Sequence, residues 1–234
     1  MKGKLYLIPN TLGESEINEV IPAFNLEIIN SINHYIVEDI RTARRFLSKC
    51  RIKTKIDDLQ FFVLNKHTKV EEINKFLLPA NQGHPIGVIS EAGCPAVADP
   101  GAEVARLAHE GNIEIIPLIG PSSILLALMA SGLNGQRFTF NGYLPIKEDE
   151  RIQQLKKDES KSKLENSTQI YIETPYRNMH LLKSMIECLS PSTRLCVATD
   201  LSLKTQQIKS KTIKNWKNTT IDINKKPSIF LFLA

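Results

Sequence analysis

Ser90-Glu91-Ala92-Gly93-Cys94-Pro95-Ala96-Val97-Ala98-Asp99-Pro100-Gly101 is the stretch that decides the fold of this 234-residue chain. It follows Ile86-Gly87-Val88-Ile89, a continuous apolar run of strand length. Such runs are typical of parallel strands whose sheet is covered by helices on both faces. The glycines and prolines of the stretch fix a tight path and let backbone groups approach a ligand closely. Because open α/β sheets bind ligands beyond the carboxyl ends of their strands, the stretch predicts a ligand-binding loop.

Outward from this loop, apolar runs of strand length alternate with segments of helical period. Strands are expected at Leu5–Pro9, Tyr35–Glu38, Phe61–Asn65, Ile86–Ser90 and Ile113–Pro117, and helices at 15–28, 40–49, 70–78 and 101–110. The alternation predicts a parallel sheet with crossover helices. The strand-end rule then nominates four loops as ligand contacts, namely Pro9–Gly13, Glu38–Arg41, Ser90–Gly101 and Pro117–Ser123.

Glycine usage indicates a second domain. Nine of the eleven glycines lie between Gly83 and Gly142, and none follows Gly142. We place the boundary near residue 118, which gives an N-terminal domain 1–118 and a C-terminal domain 119–234. The elements expected after the boundary are strands Arg137–Tyr143, Gln169–Glu173, Arg194–Thr199 and Ser228–Leu233, helices 148–160 and 176–189, and a polar hairpin around 203–222.

Several classes of protein are disfavoured by composition. No apolar run reaches the roughly 18 residues of a membrane helix, and we interpret Met1–Pro9 as a first buried strand rather than a signal peptide. The four cysteines lack the spacing of a zinc site or a disulfide framework, so the cytoplasm is the default compartment. The five histidines are scattered, and we predict no metal. No G-x-G motif or P-loop is present, which disfavours a dinucleotide or phosphate-cradling fold.

Positive charge is concentrated in the second half. Residues 1–146 carry 14 Lys and Arg against 15 Asp and Glu, whereas residues 147–234 carry 16 against 10. Seven lysines follow Asp200. This basic C-terminal half is what a surface approached by phosphates would look like. The alternative is a solvated lysine-rich surface that only keeps the protein soluble.

The motifs resemble those of the tetrapyrrole methylase superfamily, and among its branches those of ribosomal RNA small subunit methyltransferase I. Ser90–Gly101 resembles that branch's Ser-Asp-Ala-Gly-Thr-Pro-x-x-x-Asp-Pro-Gly signature, with Glu91 and Cys94 as substitutions. In the same order along the chain, the other matching segments are Pro9–Gly13, Glu38–Arg41, Gly120–Ser123, Asn141–Pro145 and Tyr171–Arg177. Departures occur at Asn10, at Asp200–Lys204 and at Lys226-Pro227, where relatives have other residues.

The resemblance implies the two-domain tetrapyrrole methylase fold, with a mainly parallel sheet in the N-terminal domain and a mixed-sheet α/β C-terminal domain. It also implies an S-adenosylmethionine-dependent methyltransferase, a cofactor in the cleft between the domains and a homodimer. The residues that the motifs assign to the cofactor are Pro9, Glu91, Ala92, Gly93, Cys94, Pro95, Gly120, Pro121, Ser122, Tyr143 and Leu144. A valine at Gly93 or Gly120 is expected to intrude on the ligand and to leave the fold intact.

Few catalytic groups are needed, because a sulfonium donor is already activated and alignment supplies much of the rate. A carboxylate within reach of a weakly acidic ribose hydroxyl would help to remove its proton. The candidates for a direct role in the reaction are Glu38, Asp39, Glu91, Glu173 and Arg177. Alternatively, Glu38-Asp39 caps a helix, Glu173 pairs with Arg177, and Arg41 and Arg177 grip RNA phosphates.

Three functions remain open at this point. The first is methylation of a ribose 2′-hydroxyl in small-subunit rRNA. The second is methylation of another acceptor, such as a tetrapyrrole. The third is a non-catalytic protein that binds the cofactor or RNA.

Overall fold

The computed structural model describes residues 1–65 and 67–234 and divides the chain into two compact units, Met1–Ser122 and Ser123–Ala234. The division falls four residues after the boundary at 118 that glycine usage suggests. Each unit contains one five-stranded sheet. In the described part of the chain, no helix combines the length and apolar character needed to cross a bilayer.

Unit 1 is built on a parallel sheet with strand order β3-β2-β4-β1-β5. Its strands are β1 (Leu5–Ile8), β2 (His34–Val37), β3 (Gln60–Val63), β4 (Ile86–Ile89) and β5 (Ile115–Pro117). Its helices are α1 (Ile17–Val20), α2 (Ala23–Ile29), α3 (Ile40–Lys49), α4 (Val70–Phe76), α5 (Leu78–Asn81) and α6 (Gly101–Glu110). Apolar clusters cover both faces of the sheet, and β4 is buried along its whole length. The continuous apolar strands therefore belong to a sheet covered on both faces, as predicted.

The helix expected over 15–28 is two helices, and that prediction was wrong in its continuity. α1 ends at Val20, Ile21 is extended with φ −113° and ψ 122°, and Pro22 is the residue before α2. A proline disfavours helical geometry in the preceding residue and has no N–H to continue the helical hydrogen bonds. The apolar periodicity spans the break because both helices pack Ile17 and Ile29 into the same core.

Unit 2 contains a mixed sheet with strand order β6-β7-β10-β8-β9, in which only β6 and β7 are parallel. Its strands are β6 (Phe138–Phe140), β7 (Thr168–Ile172), β8 (Arg194–Thr199), β9 (Gln207–Thr212) and β10 (Ser228–Leu233). Its helices are α7 (Ser123–Ser131), α8 (Glu148–Glu165), α9 (Asn178–Cys188) and α10 (Ile213–Trp216). α7 was not expected from the sequence. The polar hairpin expected around 203–222 was wrong, because that range contains a single strand, β9, followed by α10. β9 pairs instead with the preceding strand β8 at the edge of the sheet.

The core of unit 2 contains several aromatic side chains that are almost fully buried. Trp216 is buried, and its Nε1 donates to the Leu195 carbonyl at 2.8 Å. Tyr171 stacks on Phe232 with ring centroids 5.7 Å apart. Its hydroxyl donates to the Asp158 carboxylate at 2.8 Å, which satisfies a polar group that would otherwise be costly to bury. α8 packs on β7 and β10, and α9 packs against α8.

Candidate functional site

The loops that follow β1 and β4 are hydrogen-bonded to each other. The Asn10 amide donates to the Gly93 carbonyl at 2.9 Å, and the Gly93 amide donates to the Asn10 carbonyl at 3.1 Å. β1 and β4 are neighbours in the parallel sheet, so both loops leave it at the same edge. The bridge is antiparallel, unlike the pairing of the two strands, and it joins the loop after β1 to the Ser90–Gly101 loop.

Asn10 adds a side-chain network to this bridge. Its Nδ2 donates to the carbonyls of Ser90 at 3.0 Å and Glu91 at 3.2 Å, and its Oδ1 accepts from the Thr11 amide at 2.8 Å. Ser90 Oγ donates to the Gly93 carbonyl at 2.6 Å. From the sequence, Asn10 was recognised only as a departure from the family pattern. A short amide side chain directly after a buried strand was the signal for its role as a loop clamp.

Gly93 and Gly120 are needed for contacts within the protein. Gly93 has φ +69°, and a Cβ there would lie 3.2 Å from Leu12 Cδ2 and 3.3 Å from the Pro121 carbonyl oxygen. A Cβ on Gly120 would overlap the ring of Pro9. Valine at either position is therefore expected to disturb the loops themselves. This revises the expectation that such variants would report on ligand contact alone.

Strain is stored in the second half of the same loop. Ala96 and Ala98 are left-handed, with φ of 66° and 55°, and residues with a Cβ rarely adopt this conformation. The Asp99 Oδ1 accepts the amides of Ala96 at 3.1 Å and Gly101 at 2.6 Å. Asp99 thus holds the turn that leads into α6. Backbone strain of this kind clusters at functional sites, where the surrounding structure over-determines it.

Three carboxyl groups meet at the ends of β2 and β4. Burial, followed by the neighbouring Asp99 and Glu91, raises the pKa of Glu38 to about 7. Glu38 directly follows β2, and the loop after β4 carries Glu91 and Asp99. A carboxyl that titrates near neutrality can accept a proton during a reaction and release it afterwards. Asp99 is a second residue that the sequence analysis missed, although it lies within the deciding stretch.

Asp39 is a helix cap. Its Oδ1 accepts the amides of Arg41 at 2.7 Å and Thr42 at 2.9 Å, and these hydrogen bonds, with that from Thr42 the largest cause, lower the pKa of Asp39. The capping alternative therefore describes what its side chain does in the structure. Of the Glu38-Asp39 pair, Glu38 is the carboxyl with the proton affinity suited to a base.

The remaining residues of these loops that the motifs assign to the cofactor differ in burial. Pro9 and Pro95 are buried, whereas Glu91 and Ala92 are exposed. Cys94 lies with its Sγ 3.5 Å from the Pro121 carbonyl oxygen, and burial raises the pKa of its thiol. A raised thiol pKa disfavours a nucleophile, consistent with Cys94 as a small substitute for threonine.

Unit 2 contains a separate polar group at the end of β7. Arg177 donates from Nε at 2.9 Å and from Nη2 at 2.5 Å to the Glu173 Oε1, which also accepts the Thr174 amide at 2.6 Å. A cavity of about 210 Å³ is lined by this pair together with Arg151 and His180. Since Glu173 is engaged by three donors, its side chain is suited to hold Arg177 in position. Pairing is the alternative that the sequence left open.

Tyr143 and Leu144 differ in their surroundings. Leu144 belongs to the core of unit 2, whereas the Tyr143 side chain is 60% exposed. Only Tyr143 therefore offers a side chain to a ligand. The expectation that this segment shapes the cofactor pocket stays a prediction, as does the contact at Ser122. Among the described residues, no group of three His, Cys, Asp or Glu side chains could hold a metal ion.

Sequence comparison identifies the family. A ribosomal RNA small subunit methyltransferase I from Haemophilus influenzae is 30% identical over 227 residues, which cover 95% of this chain and 74% of that protein. This chain belongs to the ribosomal RNA small subunit methyltransferase I family. Relatives of the same name from Escherichia coli O157:H7 and a Synechocystis strain are 29% and 30% identical, over 86% of this chain in each case. The chain spans 66% of the Escherichia coli protein and 67% of the Synechocystis protein. No family model matches.

Solved structures show the fold. The methyltransferase CobJ superposes with a TM-score of 0.65 at 14% identity, covering 99% of this chain and 94% of that chain. Cobalt precorrin-4 methyltransferase CbiF gives 0.61 at 17%, over 98% and 94%. The uroporphyrin-III-C-methyltransferase of Thermus thermophilus gives 0.57 at 15%, over 100% and 93%. The predicted fold class, the two-domain tetrapyrrole methylase fold, is confirmed. This rRNA methyltransferase family thus shares its architecture with methyltransferases of tetrapyrroles.

Proposed function

We propose that the chain transfers a methyl group from S-adenosylmethionine to a ribose 2′-hydroxyl of small-subunit rRNA. The observation that carries the proposal is the pair of loops clamped by Asn10 and Gly93 at the strand ends of unit 1, beside a carboxyl whose pKa is about 7. Family membership supports the acceptor class, since the relatives are named for small-subunit rRNA. A ribosomal substrate is consistent with a cytoplasmic protein.

The residues at this edge fit a cationic sulfonium cofactor. Glu38, Glu91 and Asp99 supply carboxyl groups that complement a positive charge, and their mutual repulsion would be relieved by a cation. When bound, S-adenosylmethionine supplies an electrophilic methyl group. The chain's own contribution is to align the acceptor and to hold its proton on Glu38. A homodimer stays part of this proposal.

The decisive experiment is methyl transfer to defined RNA. The purified chain, S-adenosylmethionine carrying a labelled methyl group and small ribosomal subunits from a strain that lacks the gene should yield label in rRNA, and mapping should find it on a ribose 2′-oxygen. Glu38→Gln should lower kcat by roughly 100-fold to 10,000-fold, the usual contribution of a general base.

Glu114→Gln is the matched control. Glu114 immediately precedes β5 at the opposite edge of the sheet and pairs with Lys4 at 2.9 Å, so its loss should leave the rate unchanged. Absence of label in any small-subunit RNA, together with label in a tetrapyrrole, would favour the second candidate function. Absence of S-adenosylmethionine binding to the folded chain would overturn the proposal.

A further inference from the structure

A second concentration of positive charge lies in unit 1. It is not visible in the net charge of residues 1–146, because acidic residues elsewhere in that half balance it. Between Asp39 and Asp57 the chain carries seven Arg and Lys residues and no Asp or Glu. These are half of the 14 Arg and Lys residues of positions 1–146, and the acidic residues of that half lie outside the segment. We refer to the seven cations of 41–55 as the α3 basic face.

All seven side chains are exposed. On α3, Arg41, Arg45 and Lys49 recur at a spacing of four, so they lie on one side of the helix. The opposite side is buried in the core of unit 1. After the helix, Arg51, Lys53 and Lys55 are exposed, whereas the residues between them are half-buried. The helix and the turn that follows it therefore both present their cations to solvent.

Most of these charges have no carboxylate partner. Lys49 pairs with Glu14, and Arg44 pairs with Asp57 at 3.0 Å and lies 5.8 Å above the centre of the Phe61 ring. In residues 1–65 and 67–234, no ion pair involves the other five cations of the face. Five like charges that remain exposed repel each other, and an anionic partner would relieve that repulsion.

The face begins at the loops of the candidate site. Arg45 and Lys49 line a cavity of about 140 Å³ together with Asn10–Glu14 and Glu91-Ala92. A second cavity of about 510 Å³ continues from Glu14 and Lys49 along Ser48–Arg51. Glu14 and Glu16 also line this second cavity, and their carboxylates would repel phosphates from it. Phosphates would therefore bind on the outer, basic side of α3 rather than inside the cavity. The α3 basic face therefore begins next to the candidate site and extends away from it.

We propose that the α3 basic face binds the phosphate backbone of the RNA substrate next to the nucleotide that is methylated. The inference rests on the proposed function for the identity of the partner. An anionic membrane is less suitable, because a helix that inserts into an interface needs an exposed apolar side. The apolar side of α3, formed by Ala43, Phe46 and Leu47, is already buried in the core. RNA needs only the exposed cations.

The test is the salt dependence of RNA affinity. Each phosphate contact to single-stranded RNA contributes a slope of roughly −0.7 in log affinity against log salt. Replacing Arg45, Arg51 and Lys53 together by Gln should flatten the slope by about 2 and weaken binding of small-subunit rRNA fragments about 100-fold at 0.1 M salt. Asp57→Asn frees Arg44 and should act in the opposite direction, with a slope steeper by about 0.7.

The matched control removes equal charge elsewhere. Lys157, Lys161 and Lys163 are exposed on α8 of unit 2, and their replacement by Gln should leave the slope and affinity nearly unchanged. An equal loss in both triple variants would mean a net-charge effect and would overturn the proposal. So would an unaltered slope in the α3 variant, or a loss of binding only to phosphatidylserine vesicles. Methyl transfer by the wild-type protein decides the proposed function separately.

Discussion

At the scale of single residues, the chemistry depends on Glu38. Its carboxyl is half-buried, follows β2 directly and faces two carboxyl groups from the neighbouring loop, Asp99 and Glu91. Burial and like charges both disfavour the ionised form, so they act together to raise its pKa. Because Asp99 and Glu91 both act on Glu38, a variant that removes either charge changes the pKa of Glu38.

This coupling gives a pH prediction with a defined sign. If ionised Glu38 accepts the ribose proton, kcat should rise with pH through a midpoint of about 7 and then level off. Asp99→Asn removes a negative charge that disfavours the Glu38 carboxylate, so the midpoint should move to lower pH. The amide oxygen of the new Asn can still accept the hydrogen bonds of Ala96 and Gly101. Single-turnover rates between about pH 5.5 and 8.5 measure the midpoint.

Glu114→Gln should leave the midpoint where it is, because Glu114 is not among the groups that shift Glu38. A midpoint that moves upward in Asp99→Asn, or a profile that keeps its midpoint in Glu38→Gln, would assign the titration to another group.

At the scale of elements, the site is a set of loops that contact and hydrogen-bond to each other. Gly93 lies at the centre, because its amide and carbonyl pair with Asn10 and its α-carbon faces Leu12 and Pro121. The loops after β1, β4 and β5 therefore meet at one residue. We expect them to be ordered before any cofactor binds, which reduces the entropy lost on binding.

Two glycine variants separate backbone conformation from packing. Gly132 has φ +68°, and a Cβ added there would have nothing within 4 Å, so Gly132→Ala should cost only the left-handed conformation, about 1–2 kcal/mol. Gly93→Ala carries the same cost and also tightens the contacts at Leu12 and Pro121. We expect it to lower the free energy of unfolding by about 1 kcal/mol more. Denaturant titration monitored by circular dichroism measures both, and equal losses would contradict tight packing at Gly93.

The Ser90–Gly101 loop itself could be predicted from the sequence, but most of its hydrogen bonds could not. Its glycines, prolines and preceding apolar strand predict a constrained loop at a strand end, and Ser90–Gly101 is such a loop. The partners of Asn10, the carbonyls of Ser90 and Glu91, were not predictable, because they depend on β1 and β4 being neighbours in the sheet. The hydrogen bonds of Asp99 to Ala96 and Gly101 are local to the loop, and the sequence analysis missed them. The continuous helix over 15–28 was wrong for a local reason, because the helix breaks at Ile21-Pro22 although the apolar periodicity continues past it.

At the scale of the whole molecule, the charge of an individual surface is more informative than the net charge of half of the chain. The excess positive charge of the C-terminal half includes lysines whose side chains already donate hydrogen bonds within the protein. Lys209 donates to the Thr220 carbonyl at 3.1 Å, and Lys211 donates to the Thr219 hydroxyl at 2.9 Å. In unit 1, acidic residues elsewhere balance the α3 basic face in the total. A balanced sum therefore conceals a strongly basic surface.

The proposal that RNA also contacts the lysines that follow Asp200 in the basic C-terminal half yields the last prediction. Lys204, Lys214 and Lys217 are exposed, and no hydrogen bond of the kind that engages Lys209 and Lys211 is found for them in the described residues. Replacing all three by Glu should flatten the salt slope of RNA binding by about 2 if each contacts a phosphate, and should weaken all RNA sequences alike. Lysines that only keep the protein soluble would leave the slope unaltered. If the slope responds to the α3 variant alone, the RNA path is confined to unit 1; if it responds to both, the substrate contacts both units.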